Sequence, residues 1–238
     1  MTLILYASEL AACVGMNQYK SVEDATMAVW RRWDADSFQE SSKLYPLAHK
    51  SPEEIFSSIG PSVHKLVSTA VSSKTENEAT RIVEAAMNEK ANAVSDEAAR
   101  EILEARESVV REVNCGRGSQ NEHRGIASYE SAKRVKLRGT NTKFFKKSIG
   151  VSDSGTNVYV GGRVDGLTHD RVVEIKCRRN RLFTTLPLYE KVQVQAYLFL
   201  TDKPVAEVLQ KYDGMTRTDE YVADAEFWSE VCEAALKF

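Results

Sequence analysis

The chain has 238 residues, 42% of them hydrophobic, and a formal net charge of −2. That length suits one domain, or one domain with a helical annex. No apolar run approaches the roughly 18 residues of a membrane span, and near-neutral charge means that a polyanion would have to be met by a local patch. Cys13, Cys115, Cys177 and Cys232 have no metal-ligand spacing, which suits free thiols in a reduced, soluble intracellular protein. The apolar start, Leu3 to Tyr6, lacks a basic flank and is too short for a signal peptide.

Residues Ala7 to Trp33 read as two helices. Ser8 caps the first and Gly15 ends it. Ser21 caps the second, with Asp24 three residues on, and Val22, Ala25, Val29 and Trp33 form its inward face. Asp34 to Lys50 is mixed and polar and reads as a loop. Ser51-Pro52-Glu53-Glu54 is a helix start with proline in the first turn, and Gly60-Pro61 ends that helix. Ser62 to Ser72 reads as a short helix. Glu76 to Val113 has no Gly or Pro and is the longest helical pattern, with a break near Asn92 to Asp96. Composition shifts at Asn114. Gly116-Arg117-Gly118 reads as a flexible break before a helix from about Gln120 to Ala132, which carries Glu122, Tyr129 and Glu130. The shift divides a helical region, 1–113, from a core region, 114–238, within a single domain.

Two basic runs follow. Lys133, Arg134, Lys136, Arg138, Lys143, Lys146 and Lys147 lie in a stretch without an acid, and Arg178, Arg179 and Arg181 form the second run. Between them lies a hairpin pattern. Val158 to Leu167 and Val172 to Ile175 are rich in β-formers, and Thr168 to Arg171 is the polar break. A two-residue turn at His169-Asp170 pairs Leu167 with Val172, and Asp165 with Glu174. Side chains so opposed lie about 4.5–5.5 Å apart at Cβ. Lys176 shares the face of Glu174, while Val173 and Ile175 point into a core.

Two adjacent carboxylates ionise together only beside a compensating cation, and a hard divalent ion such as Mg²⁺ suits oxygen ligands. Basic runs flanking such a site suit phosphate backbone. After Pro187 comes a helix, Leu188 to Leu200, with Gln193 and Tyr197 on one face and Gln195 on another. Ala206 to Tyr212 is a strand, Asp213-Gly214 a turn and Glu220 to Val222 an edge strand. Asp224 caps a last helix, whose apolar side is Phe227, Trp228, Val231 and Leu236.

Taken in order, these motifs resemble the lambda-exonuclease branch of the PD-(D/E)XK nucleases, also described as YqaJ-like viral recombinases. Ala7-Ser8-Glu9-Leu10 with Gly15 and Tyr19 resembles the N-terminal Ser motif. Gly118-Ser119-Gln120-Asn121-Glu122 resembles the Gly-x-Gln-x-Glu helix, and Glu130 falls where the family often has another acid. Asp165-Gly166 with Glu174-Ile175-Lys176-Cys177 resembles the Asp-Gly and Glu-Leu-Lys-Cys pair, and Val164 stands where Pro is usual. Gln193-Val194-Gln195 resembles the helix that follows, and Tyr212-Asp213 the end of the next strand.

The resemblance implies a restriction-endonuclease-like α/β core, with a mixed central sheet from about Lys143 to Tyr212 flanked by helices, and a helical N-terminal region. It implies a metal-dependent 5′-to-3′ exonuclease of viral or phage recombination, acting on linear duplex DNA with a 5′-phosphate. Mg²⁺ is the implied cofactor, as two ions, with Mn²⁺ able to substitute. Asp165, Glu174, the Ile175 carbonyl and Glu122 would hold metal. Lys176 would orient or deprotonate the attacking water, and Gln193 would steer the lysine and the nucleotide. Ser8 would meet a terminal phosphate, helped by Arg31 or Arg124. Lys143, Lys146, Lys147, Arg178, Arg179 and Tyr197 would contact DNA. A single-strand annealing protein and a homo-oligomer are the implied assemblies. The rivals are an iron–sulfur nuclease of the Cas4 kind, which needs four clustered cysteines, and an inactive DNA-binding module.

Overall fold

The computed structural model describes residues 2–44, 62–73, 76–92, 94, 95, 99, 102, 106–178 and 180–238. They fall into two compact units, Met1–Glu40 with Arg124–Phe238, and Ser41–His123. The expected helix start at Ser51-Pro52-Glu53-Glu54, its end at Gly60-Pro61, and Arg179 lie outside the described residues.

The first unit is built on two sheets. Strand β1 (Thr2–Tyr6) runs parallel to β3 (Asn157–Gly162), which pairs antiparallel with β2 (Phe145–Val151). The second sheet has the order β4 (Gly166–Leu167), β5 (Arg171–Cys177), β6 (Val205–Tyr212) and β7 (Met215–Val222). There β5 and β6 are parallel, and the two outer pairs are antiparallel. This is a mixed α/β structure with mixed sheets flanked by helices, as the resemblance implies. The one central sheet expected from Lys143 to Tyr212 is instead two sheets, and they also take in the N-terminal strand β1 and the later strand β7. The expected strand Val158 to Leu167 is divided: β3 and β4 belong to different sheets, joined through Arg163 to Asp165. Asp165 thereby sits at the junction of the two sheets.

Helices α1 (Ala7–Cys13) and α2 (Val22–Trp33) pack into this unit. The cap of α1 is Tyr6, not Ser8: the Tyr6 N–H donates to Glu9 Oε1 at 2.9 Å, and Ser8 is exposed within the first turn. Ser21 does cap α2, accepting from the Asp24 N–H at 3.0 Å. Ala25 and Val29 are buried, but Val22 and Trp33 are exposed rather than inward. The Trp33 indole N–H instead donates to the Thr2 carbonyl at 3.0 Å, tying α2 to β1. Residues expected to begin a loop form α3 (Ala35–Leu44). Asp34 accepts from the Ser37 N–H at 3.1 Å, and Phe38 packs edge-on against Trp30. The polar composition hid a helix with a single buried anchor.

In the second unit, α4 (Ser62–Ser72) and α5 (Glu76–Asn92) pack with the first half of α6 (Arg106–Lys133) around Val63, Val83, Met87 and Val109. The end of α5 at Asn92 matches the expected break. The expected break at Gly116-Arg117-Gly118 is absent, and α6 runs through it. A Cβ on Gly116 would lie 2.8 Å from Val71, so this glycine admits α4 rather than loosening the chain. Arg117 donates to the carbonyls of Ala70, Val71 and Ser73 at the end of α4, at 3.2, 3.3 and 2.7 Å.

Helix α7 (Leu188–Thr201) joins the two sheets of the first unit through one apolar core. Its Val192, Ala196 and Leu200 share that core with Leu5, Val158, Val160, Val172 and Val208. On the other face of the second sheet, Val173, Ile175 and Leu209 pack with Tyr129 of α6 and Leu137. Asp213 and Gly214 turn β6 into β7 with positive φ at both residues, 45° and 75°. Asp224 caps α8 (Ala225–Lys237) by accepting from the Phe227 N–H at 3.1 Å.

Candidate functional site

The β4–β5 ladder pairs Leu167 with Val172 and Gly166 with Val173, so Asp165 stands across from Glu174. The Thr168 N–H donates to the Arg171 carbonyl at 3.0 Å and closes the turn. Gly166 is required by packing, because a Cβ there would lie 2.5 Å from Leu137. Behind the ladder, Gly125 of α6 lies on Ile175, where a Cβ would be 2.4 Å from Cγ2. The strand that carries Glu174 and Lys176 is therefore held against a helix at a distance only glycine permits.

Asp165 and Glu174 are buried, at 7% and 3% exposure. Asp165 Oδ2 accepts from the Ile175 N–H at 2.7 Å, and Oδ1 faces the Asn141 amide at 3.4 Å. Burial pushes the Asp165 pKa above the usual aspartate value; the Ile175 N–H, Lys176, Asn141 and a direct contact with the Glu174 carboxyl oppose it. Lys176 pairs with Glu174 at 2.7 Å and donates to Gln193 Oε1 at 2.9 Å. Gln193 in turn donates to the Tyr197 hydroxyl at 3.0 Å. Burial alone would lower the Lys176 pKa, but the carboxylates of Glu174, Glu190 and Asp165 outweigh it and hold the ammonium above its ordinary value.

A cleft of about 520 Å³ opens beside this chain of contacts. Tyr6, Ser8, Asn141, Phe144, Gly162, Arg163 and Tyr197 line it. Asn141 and Tyr197 are shared with the carboxylate group and with Gln193, so cleft and polar chain are continuous. Asn141 reaches Asp165 because its backbone takes a left-handed φ of 50° and its N–H donates to the Val164 carbonyl at 3.0 Å. Asn141, Phe144 and Arg163 were not singled out from the sequence. A turn-prone Asn two residues after Gly139 is the one local signal for the loop that carries the amide.

The structure brings together Asp165, Glu174, Lys176, Gln193 and Tyr197, with Ser8 across the cleft. Glu122 lies on α6 within the second unit. Among the described residues, no three His, Cys, Asp or Glu side chains gather in an array able to hold a metal ion. Cys13, Cys177 and Cys232 are free thiols, so the described residues hold no cysteine cluster of the iron–sulfur kind.

Several expected DNA contacts have protein partners. Arg178 forms a bidentate pair with Glu190, both nearly buried, and its Nε donates to Gln210 at 2.7 Å. Lys147 pairs with Asp202 and donates to the Phe199 carbonyl at 2.9 Å, closing the C-terminal end of α7. Arg31 lies over the Phe38 ring at 4.6 Å. Lys143 and Lys146 lie over Phe145 and Tyr159, and both are exposed, as is Arg124. No described helix is long and apolar enough to cross a membrane.

No family model matches the sequence, and neither does the sequence of any curated protein. Solved structures are similar in part. The crystal structure of SSO0001 aligns with a TM-score of 0.43 at 18% identity, over 58% of this chain and 68% of that one. An alkaline exonuclease from Laribacter hongkongensis aligns at 0.35 and 16% identity, over 50% of this chain and 63% of that one. The same exonuclease in complex with dAMP aligns at 0.33 and 17%, over 55% and 77%. With likeness at this level, the fold and site rest on the register and contacts of this chain itself.

Proposed function

We propose that the chain is a metal-dependent deoxyribonuclease that digests linear duplex DNA from a 5′ end. The observation that carries this reading is the continuous run of contacts from Asp165 and Glu174 through Lys176 and Gln193 to Tyr197, opening on a cleft. Hydrolysis of a phosphodiester needs positive charge at the phosphate and a held water. Two buried carboxyls in contact, one with a raised pKa, are a hard oxygen donor set that fits a small divalent ion. Asp165, Glu174 and the Ile175 carbonyl would hold Mg²⁺, or Mn²⁺ in its place, and the ion would supply Lewis-acid charge at the phosphate.

Lys176, paired with Glu174 and held by Gln193, would orient or deprotonate the attacking water and offset charge on the phosphoryl oxygens. Gln193 fixes the ammonium by accepting from it, and is itself fixed by Tyr197. Ser8 offers a hydroxyl to a terminal phosphate from the cleft wall. Glu122 as a further ligand, and a second ion with it, rest on the resemblance of its helix to the family motif. So do a role in viral or phage recombination, an annealing protein that takes up the 3′ strand, and a homo-oligomer. Glu122→Gln should end cleavage and keep DNA binding if that assignment is right.

End-labelled linear duplexes, with and without a 5′-phosphate, test the reading in Mg²⁺ and in EDTA. We expect digestion in Mg²⁺ only, faster from the phosphorylated end, and none by Asp165→Ala. Digestion that survives in EDTA or in Asp165→Ala would overturn it.

A further inference from the structure

We propose that Phe144 and Arg163 form a nucleotide subsite in the cleft, in which the terminal base of the cleaved strand leaves the duplex and stacks on the Phe144 ring. This deepens the nuclease reading and rests on it. Phe144 is 41% exposed and lines the cleft beside the buried polar centre. It does not dangle. A Cβ on Gly161 would lie 2.6 Å from Phe144 Cζ, so the ring is seated on bare strand backbone. Tyr6 meets it edge-on, with centroids 6.0 Å apart and planes at 82°. One side of the ring is thus fixed while the ring still lines the cleft.

Arg163 supplies the second half. Its guanidinium carbon lies over the Phe144 ring, 5.6 Å from the centroid, so a base stacking there would share that face with it or displace it, and it lines the same cleft. Among the described residues it has no carboxylate partner, unlike Arg178 with Glu190 or Arg171 with Asp170. An aromatic face next to an unneutralised guanidinium is the pairing that holds a base and its phosphate. The neighbouring Gly162 lets Tyr197 and Ala7 pack close under the strand that borders the cleft: a Cβ there would meet Tyr197 at 3.1 Å and Ala7 at 3.2 Å. A cleft of about 520 Å³ is in the range that encloses a single small ligand, so it suits one unpaired nucleotide rather than a base pair. A terminal base is the one that leaves its stack at least cost, having one stacked neighbour instead of two.

The test is a cycle that removes the base and the ring separately. Duplexes carry, at the digested end, either a normal but mismatched terminal nucleotide or an abasic analogue in its place, so that neither end has a base pair to open. Wild type should digest the normal end about 5- to 150-fold more efficiently, the range expected from one base stacked on an aromatic ring. Phe144→Leu keeps an apolar cover over Gly161 but has no flat face. It should lose most of the rate on the normal end and almost none on the abasic end. Arg163→Ala should lower both. Equal wild-type rates on the two ends overturn the subsite without any variant, should Phe144→Leu not fold. An equal loss on both ends in Phe144→Leu also overturns it, since that is the signature of a structural role. Wild type that digests neither end refutes the nuclease reading itself, which is a different outcome from either of these.

Discussion

Replacing Gly125 by Ala sets two effects of opposite sign against each other. On an isolated helix the change would stabilise by about 1 kcal/mol, because glycine is the weaker helix former. Here the added Cβ would lie 2.4 Å from Ile175 Cγ2 and 3.3 Å from Cδ1. Cγ2 is bonded directly to Cβ of a β-branched residue on a buried strand and cannot swing away. Ordinary carbon contacts need about 3.5–4.0 Å, so helix and strand must part by about 1 Å. Overpacking of this kind costs about 1–3 kcal/mol. With the backbone itself forced to move, the upper end applies, and the net loss should be about 2 kcal/mol after the helix gain is subtracted. Urea titration followed by tryptophan fluorescence reads this directly, because Trp30, Trp33 and Trp228 all lie in the first unit. The moved strand carries Glu174 and Lys176, so cleavage should fall on the order of 100-fold. Ile175→Leu shifts the branch outward by one carbon and should restore much of both losses in the double variant. A Gly125→Ala protein that is as stable as wild type, or more so, would refute the view that this helix sets the position of the strand that carries Glu174 and Lys176.

Other expectations follow from the same contacts. Asp165→Asn, Glu174→Gln and Lys176→Met should each abolish metal-dependent cleavage while a gel-shift assay in Ca²⁺ shows DNA still bound; full activity in any one would remove that residue from the site. Burial raises the Asp165 pKa, so this group stabilises the fold below its unfolded value and that contribution is lost as pH rises through the folded value. Without divalent ions Asp165→Asn should therefore melt higher than wild type at pH 7, with the gap closing toward about pH 4; no gap at pH 7 would show that the carboxyl carries no burial penalty. Arg178→Ala strands the buried Glu190 carboxylate and should destabilise by about 3–5 kcal/mol; normal stability with weakened DNA binding would return Arg178 to the DNA-contact group. Arg163→Ala should keep stability and lower the salt slope of DNA binding by about 1, and an unchanged slope would exclude a phosphate contact there.

The sequence by itself determined what is local. Period-two alternation and a polar break set the register that puts Asp165 across from Glu174, because a one-residue slip would turn every buried valine outward. Cap chemistry set the start of α2 at Ser21 and of α8 at Asp224. Where the decisive contact was distant in sequence, local signals misled. Gly116 looked like a break but admits Val71. Val158 to Leu167 looked like one strand but serves two sheets. Ser8 looked like a cap, yet Glu9 reaches back to Tyr6 and leaves the hydroxyl at the cleft. Most of all, only the tertiary structure could sort the basic residues, since charge in a sequence says nothing of its partner. Arg178 finds Glu190 in the interior, whereas Arg163 keeps its charge beside Phe144. A cation neutralised inside the fold loses most of its pull on a polyanion, so the partners each one meets on folding decide which remain available to a substrate.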